Sequence, residues 1–276
     1  MFLLVLFKKI SIDLVILGLL FYKNLVINYQ IDILIFRFKQ EKMNNQEIND
    51  NLLKFWDEAI KLTPEEKNEE LKIEKRDYKD LAPSIKLFNA AQELGKCEYV
   101  LDYGCGSGWA AITIAKSGAK KVRAVDLGSN IIDTTKFYVE LYGAGNNLDI
   151  LKISPDWFET VPYEIYDGII CSNVLDVVPL ETSLYIIKEL ARIATKDAKV
   201  IIGLNFCLSK EDAKNRGLEL VEDKYLIING TLRLLSLTDE KWIELFSPYF
   251  EIESLEYFAW PGEKQETRRL FRLKRR

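Results

Sequence analysis

The segment between Val100 and Trp109 constrains the fold of this chain more than any other part of the sequence. It reads Val-Leu-Asp-Tyr-Gly-Cys-Gly-Ser-Gly-Trp, so an apolar run leads into three alternating glycines and then into a helical pattern that extends to Ser117. Glycines let the backbone of such a turn approach a ligand closely, and the helix that follows offers free N–H groups. Taken alone, the turn could also be purely structural, so its sequence context has to decide.

Segments typical of strands and of helices alternate from this turn onward. Strands are expected at 99–101, 122–125, 148–153, 168–172 and 199–204, and helices at 109–117, 131–142 and 180–194. We expect Ser129 to cap the second of these helices. Strands separated by helices in this order imply a parallel sheet that is covered on both faces.

The regions before and after this alternation differ from it. Further helices are expected at 51–62 and at 83–94, and another is expected to start directly after Thr63, with Thr63 as its cap. Near the C-terminus, Asn229-Gly230 joins two β-rich runs, which is the pattern most typical of a β-hairpin. A helix is then expected at 239–246, capped by Thr238, and strands at 250–258 and 268–273.

The composition excludes several kinds of functional site. The chain has no histidine among its 276 residues, which excludes His metal ligands, Ser-His or Cys-His pairs and an imidazole base. Its four cysteines, at 97, 105, 171 and 207, show no paired spacing, so neither a disulfide framework nor a cysteine-based zinc site is indicated, and no residue is predicted to bind a metal. Unpaired cysteines are typical of a reducing compartment, and we therefore expect a cytoplasmic location.

Charge is distributed unevenly along the chain. Residues 43–263 carry a net charge of −13, which would repel a nucleic-acid backbone, whereas residues 264–276 carry +6. The basic tail at 268–276 could contact RNA or anionic lipid. The interpretation we favour is a last edge strand with solvated arginines and lysines.

The first 42 residues are rich in Leu, Ile, Phe and Val, and three interpretations of them remain open. They could form a membrane anchor, although their longest stretch without charge is marginal for a spanning helix. They could be a dispensable extension ahead of a natural start at Met43. They could also contribute a helix to the core.

Asp126 follows Gly108 by 18 residues, at the end of the predicted second strand. A carboxylate there can bind both ribose hydroxyls of a nucleoside, although by itself it could simply lead into the next helix. Together with the glycine turn, it makes the chain resemble the class I S-adenosylmethionine-dependent methyltransferases. Four segments in register carry this resemblance. Residues 100–108 resemble that family's first motif, and residues 124–127 resemble its ribose-binding strand end. Residues 154–162 resemble its adenine loop, and residues 166–175 resemble its fourth strand with the start of the substrate-facing loop.

The resemblance implies a fold, a cofactor and a set of binding residues. The fold is α/β, with a doubly wound, mostly parallel seven-stranded sheet and an antiparallel last strand. A helical cap is expected at 43–95 and a methyltransferase domain at 96–276, with a β-hairpin lid inserted at 205–237. The implied cofactor is S-adenosylmethionine. The implied cofactor-binding residues are Asp102, Gly104, Cys105, Gly106, Gly108, Asp126, Leu127, Asp156, Trp157 and Asn173.

The chain departs from the family pattern in two places. Pro155 precedes the acid of the adenine loop, so either Asp156 or Trp157 could contact the adenine amine. Asp176 stands where many small-molecule members have a histidine. The Asn-Pro-Pro-Tyr and Asp-Pro-Pro-Tyr signatures are missing, which weakens an assignment to base or glutamine methylation.

The alternative to a methyltransferase fold is a nicotinamide dehydrogenase, which shares the strand, the glycine turn and the acid. Its G-x-G-x-x-G fingerprint is not met, however, because Trp109, Ala110 and Ala111 follow Gly108.

The predicted reaction is direct displacement of a methyl group onto an oxygen or nitrogen of a small-molecule acceptor. The protein's main task would be alignment, and a base is needed only if the acceptor arrives protonated. Without histidine, the candidate bases are Asp176, Glu263 and Tyr225. We favour Asp176 because it follows the fourth strand, although it could equally be a loop residue.

The acceptor is expected at the carboxyl ends of the strands, beneath the segments 45–80, 205–237 and 260–263. These segments contain aromatic residues that could line an acceptor site or serve the core: Trp56, Tyr78, Phe206, Tyr225 and Trp260. Such a lid suits a small, partly apolar acceptor. A methyltransferase acting on protein or RNA, and a cofactor-binding module without catalysis, remain alternatives.

Overall fold

The computed structural model describes residues 45–276. The three interpretations of the first 42 residues therefore concern a segment that lies outside the described residues. Among residues 45–276, no helix is both long enough and apolar enough to cross a lipid bilayer.

The helices surround the sheet on both faces. The α-helices are α1 (Asn45–Ile60), α2 (Pro64–Leu71), α3 (Ile85–Glu93), α4 (Trp109–Lys116), α5 (Ser129–Leu141), α6 (Trp157–Thr160), α7 (Leu180–Ile193), α8 (Lys210–Asn215) and α9 (Asp239–Phe246). Two short 3₁₀ helices, Tyr78–Leu81 and Leu94–Lys96, flank α3.

The strands form one large and one small sheet. They are β1 (Tyr99–Tyr103), β2 (Lys121–Asp126), β3 (Leu148–Lys152), β4 (Tyr166–Ser172), β5 (Ala194–Leu204), β6 (Leu220–Val221), β7 (Tyr225–Ile228), β8 (Thr231–Leu235), β9 (Phe250–Phe258) and β10 (Arg268–Arg275). The large sheet has the order β3-β2-β1-β4-β5-β10-β9, and β10 alone runs in the direction opposite to the other six strands. This confirms the predicted fold.

The two central strands are buried on both faces. Val100 and Leu101 of β1 and Ile169 and Ile170 of β4 have no exposed surface. Successive side chains of a strand point to opposite faces, so Leu101 and Ile169 pack in the core beneath α7 and α9, and Val100 and Ile170 in the core beneath α3 and α4. Each such side chain contributes roughly 1.5–3 kcal/mol of hydrophobic free energy.

The order of the strands locates the ligand edge of the sheet. Along the chain, pairing runs outward from β1 to β3 on one side and then resumes at β4 on the other side of β1. In open α/β sheets, ligands bind beyond the carboxyl ends of the strands at such a reversal. The glycine turn that follows β1 therefore lies where a ligand is expected.

Two predicted helix caps are present. The Thr63 hydroxyl accepts the Glu66 N–H at 3.2 Å, and the Glu66 carboxylate accepts the Thr63 N–H at 2.8 Å, which together form a capping box at the start of α2. The Thr238 hydroxyl accepts the Lys241 N–H at the start of α9. Local sequence signals thus define both helix starts.

The prediction that Ser129 caps the second helix after the glycine turn is wrong. Helix α5 already begins at Ser129, and Gly128 at the cap position has no side chain. The Ser129 hydroxyl instead accepts a hydrogen bond from the Lys152 ammonium group at 2.6 Å. The free N–H groups of α5 are bound by Asp57 of α1, a contact that no local pattern indicates.

Strand β10 lies between β5 and β9 and not at the edge of the sheet. Two of its arginines, Arg268 and Arg269, are buried, and Arg272 is partly buried and paired. The Arg269 guanidinium donates to the carbonyls of Asn205 and Leu237 at 2.8 and 2.6 Å, and Arg272 forms an ion pair with Glu93 at 3.0 Å. The prediction of an edge strand with solvated cations is therefore wrong, and the cations named here are not presented to RNA or lipid.

The small sheet, of order β6-β7-β8, contains the predicted hairpin. Asn229 and Gly230 both have positive φ, at 51° and 73°, as a two-residue hairpin turn of this type requires. Strand β6 and helix α8 complete this region, although neither is expected from the sequence. Leu235 of β8 ties the small sheet to the main body, because its N–H donates to the Asp176 carbonyl at 2.7 Å.

Candidate functional site

The glycine turn after β1 has the conformation expected of a ligand cradle. Gly104, Gly106 and Gly108 have φ values of +73°, +55° and +81°, and residues other than glycine rarely adopt such backbone conformations. A Cβ on Gly108 would stand 2.7 Å from the Thr135 Cγ2 atom of α5. The N–H groups of Gly104 and Cys105 donate to the Val125 carbonyl at 2.9 and 3.0 Å, which fixes the turn against the end of β2.

Asp126 joins the glycine turn to the loop after β2. Its two carboxylate oxygens accept the N–H groups of Gly106 and Gly128, each at 3.2 Å. Burial raises the pKa of Asp126, and these backbone hydrogen bonds oppose that rise. The carboxylate is therefore held at the carboxyl end of β2, where a ribose would meet it.

Asp102 is a second buried acid at the same edge. Its side chain is only 3% exposed, and its carboxylate accepts the N–H of Ala111 in the first turn of α4 at 3.0 Å. Burial raises the pKa of Asp102 to about 7, and the neighbouring Asp126 adds to the rise. An acid of this kind holds a proton readily and gains from a cationic ligand.

Cys105 and Leu127 flank these acids, and the Leu127 backbone N–H is a further hydrogen-bond donor that lowers the pKa of Asp126. The Cys105 thiol is buried 3.6 Å from the Thr135 hydroxyl, and burial raises its pKa well above the usual value. This makes it a small neutral residue of the turn and not a nucleophile. Leu127 is half-buried and packs against the core beneath α7 and α9.

The predicted adenine loop leads into the short helix α6. Asp156 is exposed and accepts a hydrogen bond from the Ser154 hydroxyl, whereas Trp157 is buried in the core. The ring of Trp157 lies 6.3 Å from that of Tyr103 at the end of β1. Of the two candidates for the adenine amine contact, Asp156 is therefore the one with a solvent-facing side chain.

Asn173 follows β4 in a left-handed conformation, with φ of +58°. Its N–H donates to the Gly203 carbonyl at 2.8 Å, so the backbone here is bound to the end of β5. Its buried Nδ2 atom has no hydrogen-bond partner among residues 45–276. A strained residue with an unsatisfied amide at the carboxyl end of β4 is typical of a ligand contact.

These features fit a nucleoside cofactor. The three glycines of the turn leave space that a Cβ would fill, and the Asp126 carboxylate is oriented at the position expected for the ribose. The buried side-chain amide of Asn173 has no hydrogen-bond acceptor among residues 45–276. The residues in question come from the carboxyl ends of β1, β2 and β4. The structure thus brings most of the predicted cofactor residues to one edge of the sheet.

Asp176, the favoured base, has no exposed surface. One carboxylate oxygen accepts the Asn205 N–H, and the other, Oδ1, has no hydrogen-bond partner among the residues described. Burial raises the pKa of Asp176, while the Asn205 N–H and the Arg269 guanidinium lower it. The side chain is therefore built into the loops after β4 and β5, with one oxygen left to accept a proton.

The two other candidate bases have evident structural contacts. The Tyr225 hydroxyl accepts the Leu180 N–H at the start of α7 at 3.2 Å. The Glu263 carboxylate accepts the Trp260 N–H at 2.8 Å and binds the Arg268 guanidinium at 2.7 Å. Both contacts favour a positioning role over proton transfer.

The predicted aromatic residues separate into three groups. Trp56 of α1 and Tyr225 of β7 pack against the core beneath α7 and α9, near the ligand edge. Trp260 stacks on the Arg268 guanidinium, 3.3 Å from its ring centroid, and Phe206 lies 6.0 Å from the same group. Tyr78 instead packs on Phe88 of α3, at 5.9 Å between ring centroids.

Helix α1 and the small sheet form a roof over the ligand edge. The Arg233 guanidinium of β8 lies 3.9 Å from the Phe55 ring centroid of α1, which joins the two elements. The Ile60 Cδ1 atom of α1 lies 3.8 Å from where a Cβ on Gly106 would stand. Sequence reasoning missed Asp57 and Asn205 in this region, and only their positions beside Trp56 and directly after β5 could have indicated them.

Comparison with known proteins gives a family match over the part of the chain that contains β1 to β5. Residues 82–203 match the family model of ribosomal protein L11 methyltransferase (PrmA). A ribosomal protein L11 methyltransferase of Thermotoga neapolitana is 29% identical over 136 residues, which cover 48% of this chain and 47% of that protein. A ubiquinone biosynthesis O-methyltransferase of Nitrosospira multiformis is 34% identical over 80 residues, covering 29% of this chain and 32% of that protein.

The chain thus spans less than half the length of these curated relatives. Among solved structures, the N-methyltransferase NodS from Bradyrhizobium japonicum WM9 in complex with S-adenosylhomocysteine matches with a TM-score of 0.54. At 11% identity the match covers 82% of this chain and 98% of NodS, and it concerns the fold. Together, the family match and the fold confirm the resemblance drawn from the sequence.

Proposed function

We propose that this chain, which belongs to the class I S-adenosylmethionine-dependent methyltransferases, transfers a methyl group to an oxygen or nitrogen of a small-molecule acceptor. The observation that supports the proposal best is the meeting of the glycine turn with Asp126 at the carboxyl end of β2. S-adenosylmethionine supplies an electrophilic methyl group on a cationic sulfur. We expect the other predicted contacts, from Asp102 to Asn173, to complete its binding site.

The residues of the site would act mainly by orientation. Asp126, fixed by the N–H groups of Gly106 and Gly128, would hold the ribose hydroxyls. Asp102 would offset positive charge from inside the sheet edge. Fixing the reactants in line lowers the barrier because the entropy of alignment is lost at binding and not at the transition state.

Asp176 is the group we propose for accepting a proton where the acceptor needs to lose one. Its Oδ1 atom is unpartnered among residues 45–276, and burial raises its pKa toward the range of a useful base. The Asn205 N–H and the Leu235 N–H, which donate to its side chain and carbonyl, hold it in place.

A small acceptor is favoured by the roof over the site. Helix α1 and the small sheet are joined by the stacking of Arg233 on Phe55, and this arrangement covers the ligand edge. A protein acceptor is the second candidate, because the matched family model is that of ribosomal protein L11 methyltransferase. A nucleic-acid acceptor is less favoured, since Arg269 and Arg272 of the basic tail are paired internally.

Calorimetric titration of the full chain with S-adenosylhomocysteine, with NADH as the control ligand, tests the cofactor. Micromolar binding of S-adenosylhomocysteine alone is expected. Failure of both ligands to bind the folded protein would contradict the proposal and favour a module without this cofactor. An acceptor screen with phenols, amines and a basic ribosomal protein then distinguishes the two acceptor classes. The cytoplasmic location remains a prediction.

A further inference from the structure

The acidic side chain of Asp57 on helix α1 contacts the start of helix α5, directly after the loop that follows β2. Its Oδ1 atom accepts the N–H groups of Asn130 and Ile131 at 2.8 and 3.2 Å, and its Oδ2 atom accepts the Asn130 side-chain amide at 3.0 Å. Both residues lie in the first turn of α5. One carboxylate thus binds three donors across 73 residues of sequence.

Helix α5 depends on this carboxylate because it has no local cap. Gly128 provides no side chain at the cap position, and the Ser129 hydroxyl is bound by Lys152. Unsatisfied N–H groups at a helix start are costly, and a negative charge there is also favoured by the helix dipole. Asp57 therefore contributes to the stability of α5 only while α1 is docked.

The same contact lies directly against the proposed cofactor site. Gly128, whose N–H is bound by Asp126, is so close to α1 that a Cβ on it would stand 2.4 Å from the Asp57 Oδ1 atom. One turn further along α1, Ile60 lies over Gly106 of the glycine turn. Helix α1 thus covers the two backbone segments that hold the Asp126 carboxylate.

We propose that Asp57 is a positioning residue that latches α1 over the nucleoside end of the cofactor site, so that cofactor exchange requires this latch to open. The inference rests on the proposed function and deepens it by naming the element that controls access. The hydrogen bond from the Thr134 hydroxyl to the Ile60 carbonyl, at 3.1 Å, and the stacking of Arg233 on Phe55 assist the closed position.

The small sheet has anchors of its own and does not depend on the latch. The Leu235 N–H donates to the Asp176 carbonyl, and the Tyr225 hydroxyl accepts the Leu180 N–H. Helix α1 can therefore move away from α5 while β7 and β8 stay attached to the loops after β4. Release of α1 would expose Gly106 and Gly128 together.

Three full-length variants test the latch. Asp57→Ala removes it, Asp57→Asn keeps one oxygen that can accept the N–H groups of Asn130 and Ile131, and Glu58→Ala is the matched control. Glu58 is the adjacent acid on α1, and its exposed carboxylate pairs with Lys61. The two readouts are amide hydrogen exchange of residues 45–60 in the ligand-free protein and the rate of S-adenosylhomocysteine release in a stopped-flow displacement.

Asp57→Ala should speed both amide exchange in α1 and ligand release by about fivefold or more, as expected from loss of a helix cap. Asp57→Asn should lie between this variant and the wild type, and Glu58→Ala should match the wild type. Equal exchange and equal release rates in Asp57→Ala and Glu58→Ala would overturn the latch.

Two further arms keep the test decisive. If Asp57→Ala does not fold, Gly128→Ala is the second variant. Its Cβ would stand 2.4 Å from the Asp57 Oδ1 atom and 2.8 Å from the Ile131 Cδ1 atom, so both side chains must shift while the carboxylate is kept, and the same loosening of α1 is expected. Wild-type exchange in that variant would overturn the proposal. If the wild type binds no S-adenosylhomocysteine, the proposed function fails, and amide exchange of α1 still decides whether Asp57 holds it closed.

Discussion

Gly104 and Val174 lie so close together that a Cβ on Gly104 would stand 2.3 Å from the Val174 Cγ2 atom. The turn after β1 and the loop after β4 are thereby packed against each other at the centre of the ligand edge. Gly104→Ala should force these segments apart, at a cost of about 1–3 kcal/mol for overpacking, and weaken S-adenosylhomocysteine binding at least tenfold. Calorimetry and thermal unfolding measure the two effects.

Gly143→Ala is the matched control for this variant. Gly143 also has a positive φ, of 59°, but a Cβ on it would meet no atom within 4 Å. It therefore carries the same kind of backbone strain without the contact. Equal loss of ligand affinity in the two variants would show that the close packing on Val174 is unimportant.

Asp126→Ala should weaken S-adenosylmethionine binding by more than tenfold. The carboxylate would make charge-assisted hydrogen bonds to ribose, worth about 1.5–3 kcal/mol, and its loss also leaves the Gly106 and Gly128 N–H groups unbound. Asp149→Ala, which breaks an exposed ion pair with Arg123 on the neighbouring strand, should leave affinity unchanged. Unchanged affinity in Asp126→Ala would remove this residue from the site.

Cofactor affinity should depend on pH through Asp102, because burial raises its pKa to about 7. The positive charge of S-adenosylmethionine favours the carboxylate, so binding below this pKa must release the proton. Affinity should therefore fall as the pH is lowered from 8 to 6, by up to about tenfold per pH unit. Calorimetry in buffers of different ionisation enthalpy measures the proton release directly.

Asp102→Asn should flatten this profile and also change stability. The folded protein binds the Asp102 proton more tightly than the unfolded chain, so this group stabilises the fold at low pH and loses that contribution as the pH rises through about 7. Asp102→Asn, whose amide oxygen can still accept the Ala111 N–H, should therefore be more stable than the wild type at pH 8 but not at pH 4. A loss of stability at pH 8 would contradict this assignment.

Asp176→Asn should reduce kcat while leaving cofactor affinity unchanged, if its Oδ1 atom accepts the proton of the acceptor. A general base typically contributes about 10²–10⁴-fold to the rate. Tyr225→Phe, which removes only the hydroxyl that binds the Leu180 N–H, should keep most of the activity. Equal kcat in Asp176→Asn and the wild type would leave Asp176 with a structural role alone.

Arg269→Met should destabilise the protein by about 3 kcal/mol. This guanidinium is only 1% exposed, and its removal leaves the Asn205 and Leu237 carbonyls without their donors. Chemical denaturation measures the change, with the exposed Lys196→Ala as the control. A variant of wild-type stability would mean that β10 is held by its apolar side chains alone.

The central features of the site could be predicted from the sequence because they depend on local spacing. The strand, the three glycines and Asp126 belong to two consecutive β-α units, and their geometry follows from the turn itself. The hairpin at Asn229-Gly230 is defined equally locally, since both positions need positive φ. The same reasoning explains the success of the Thr63 and Thr238 caps.

Predictions that depended on distant contacts could not be made in this way. Ser129 is a good cap residue by type, but Asp57 takes that role because α1 docks on α5. The arginines of β10 are typical of a solvated strand, yet their partners lie on α3 and in the loops after β5 and β8. In both cases tertiary pairing decides the outcome, and no period or motif in the sequence encodes it.

The position of β10 also has a consequence for the order in which the protein assembles. Strand β9 pairs in the sheet with β10, which follows it in the chain and separates it from β5. During synthesis β1 to β5 can pair as they emerge, whereas β9 must wait beside an open β5 edge. Open edges and unpaired strands invite pairing with other chains. Nascent protein that stalls between β9 and β10 exposes the unpaired β9 in addition to the open β5 edge, so it should aggregate more readily than protein stalled after β5.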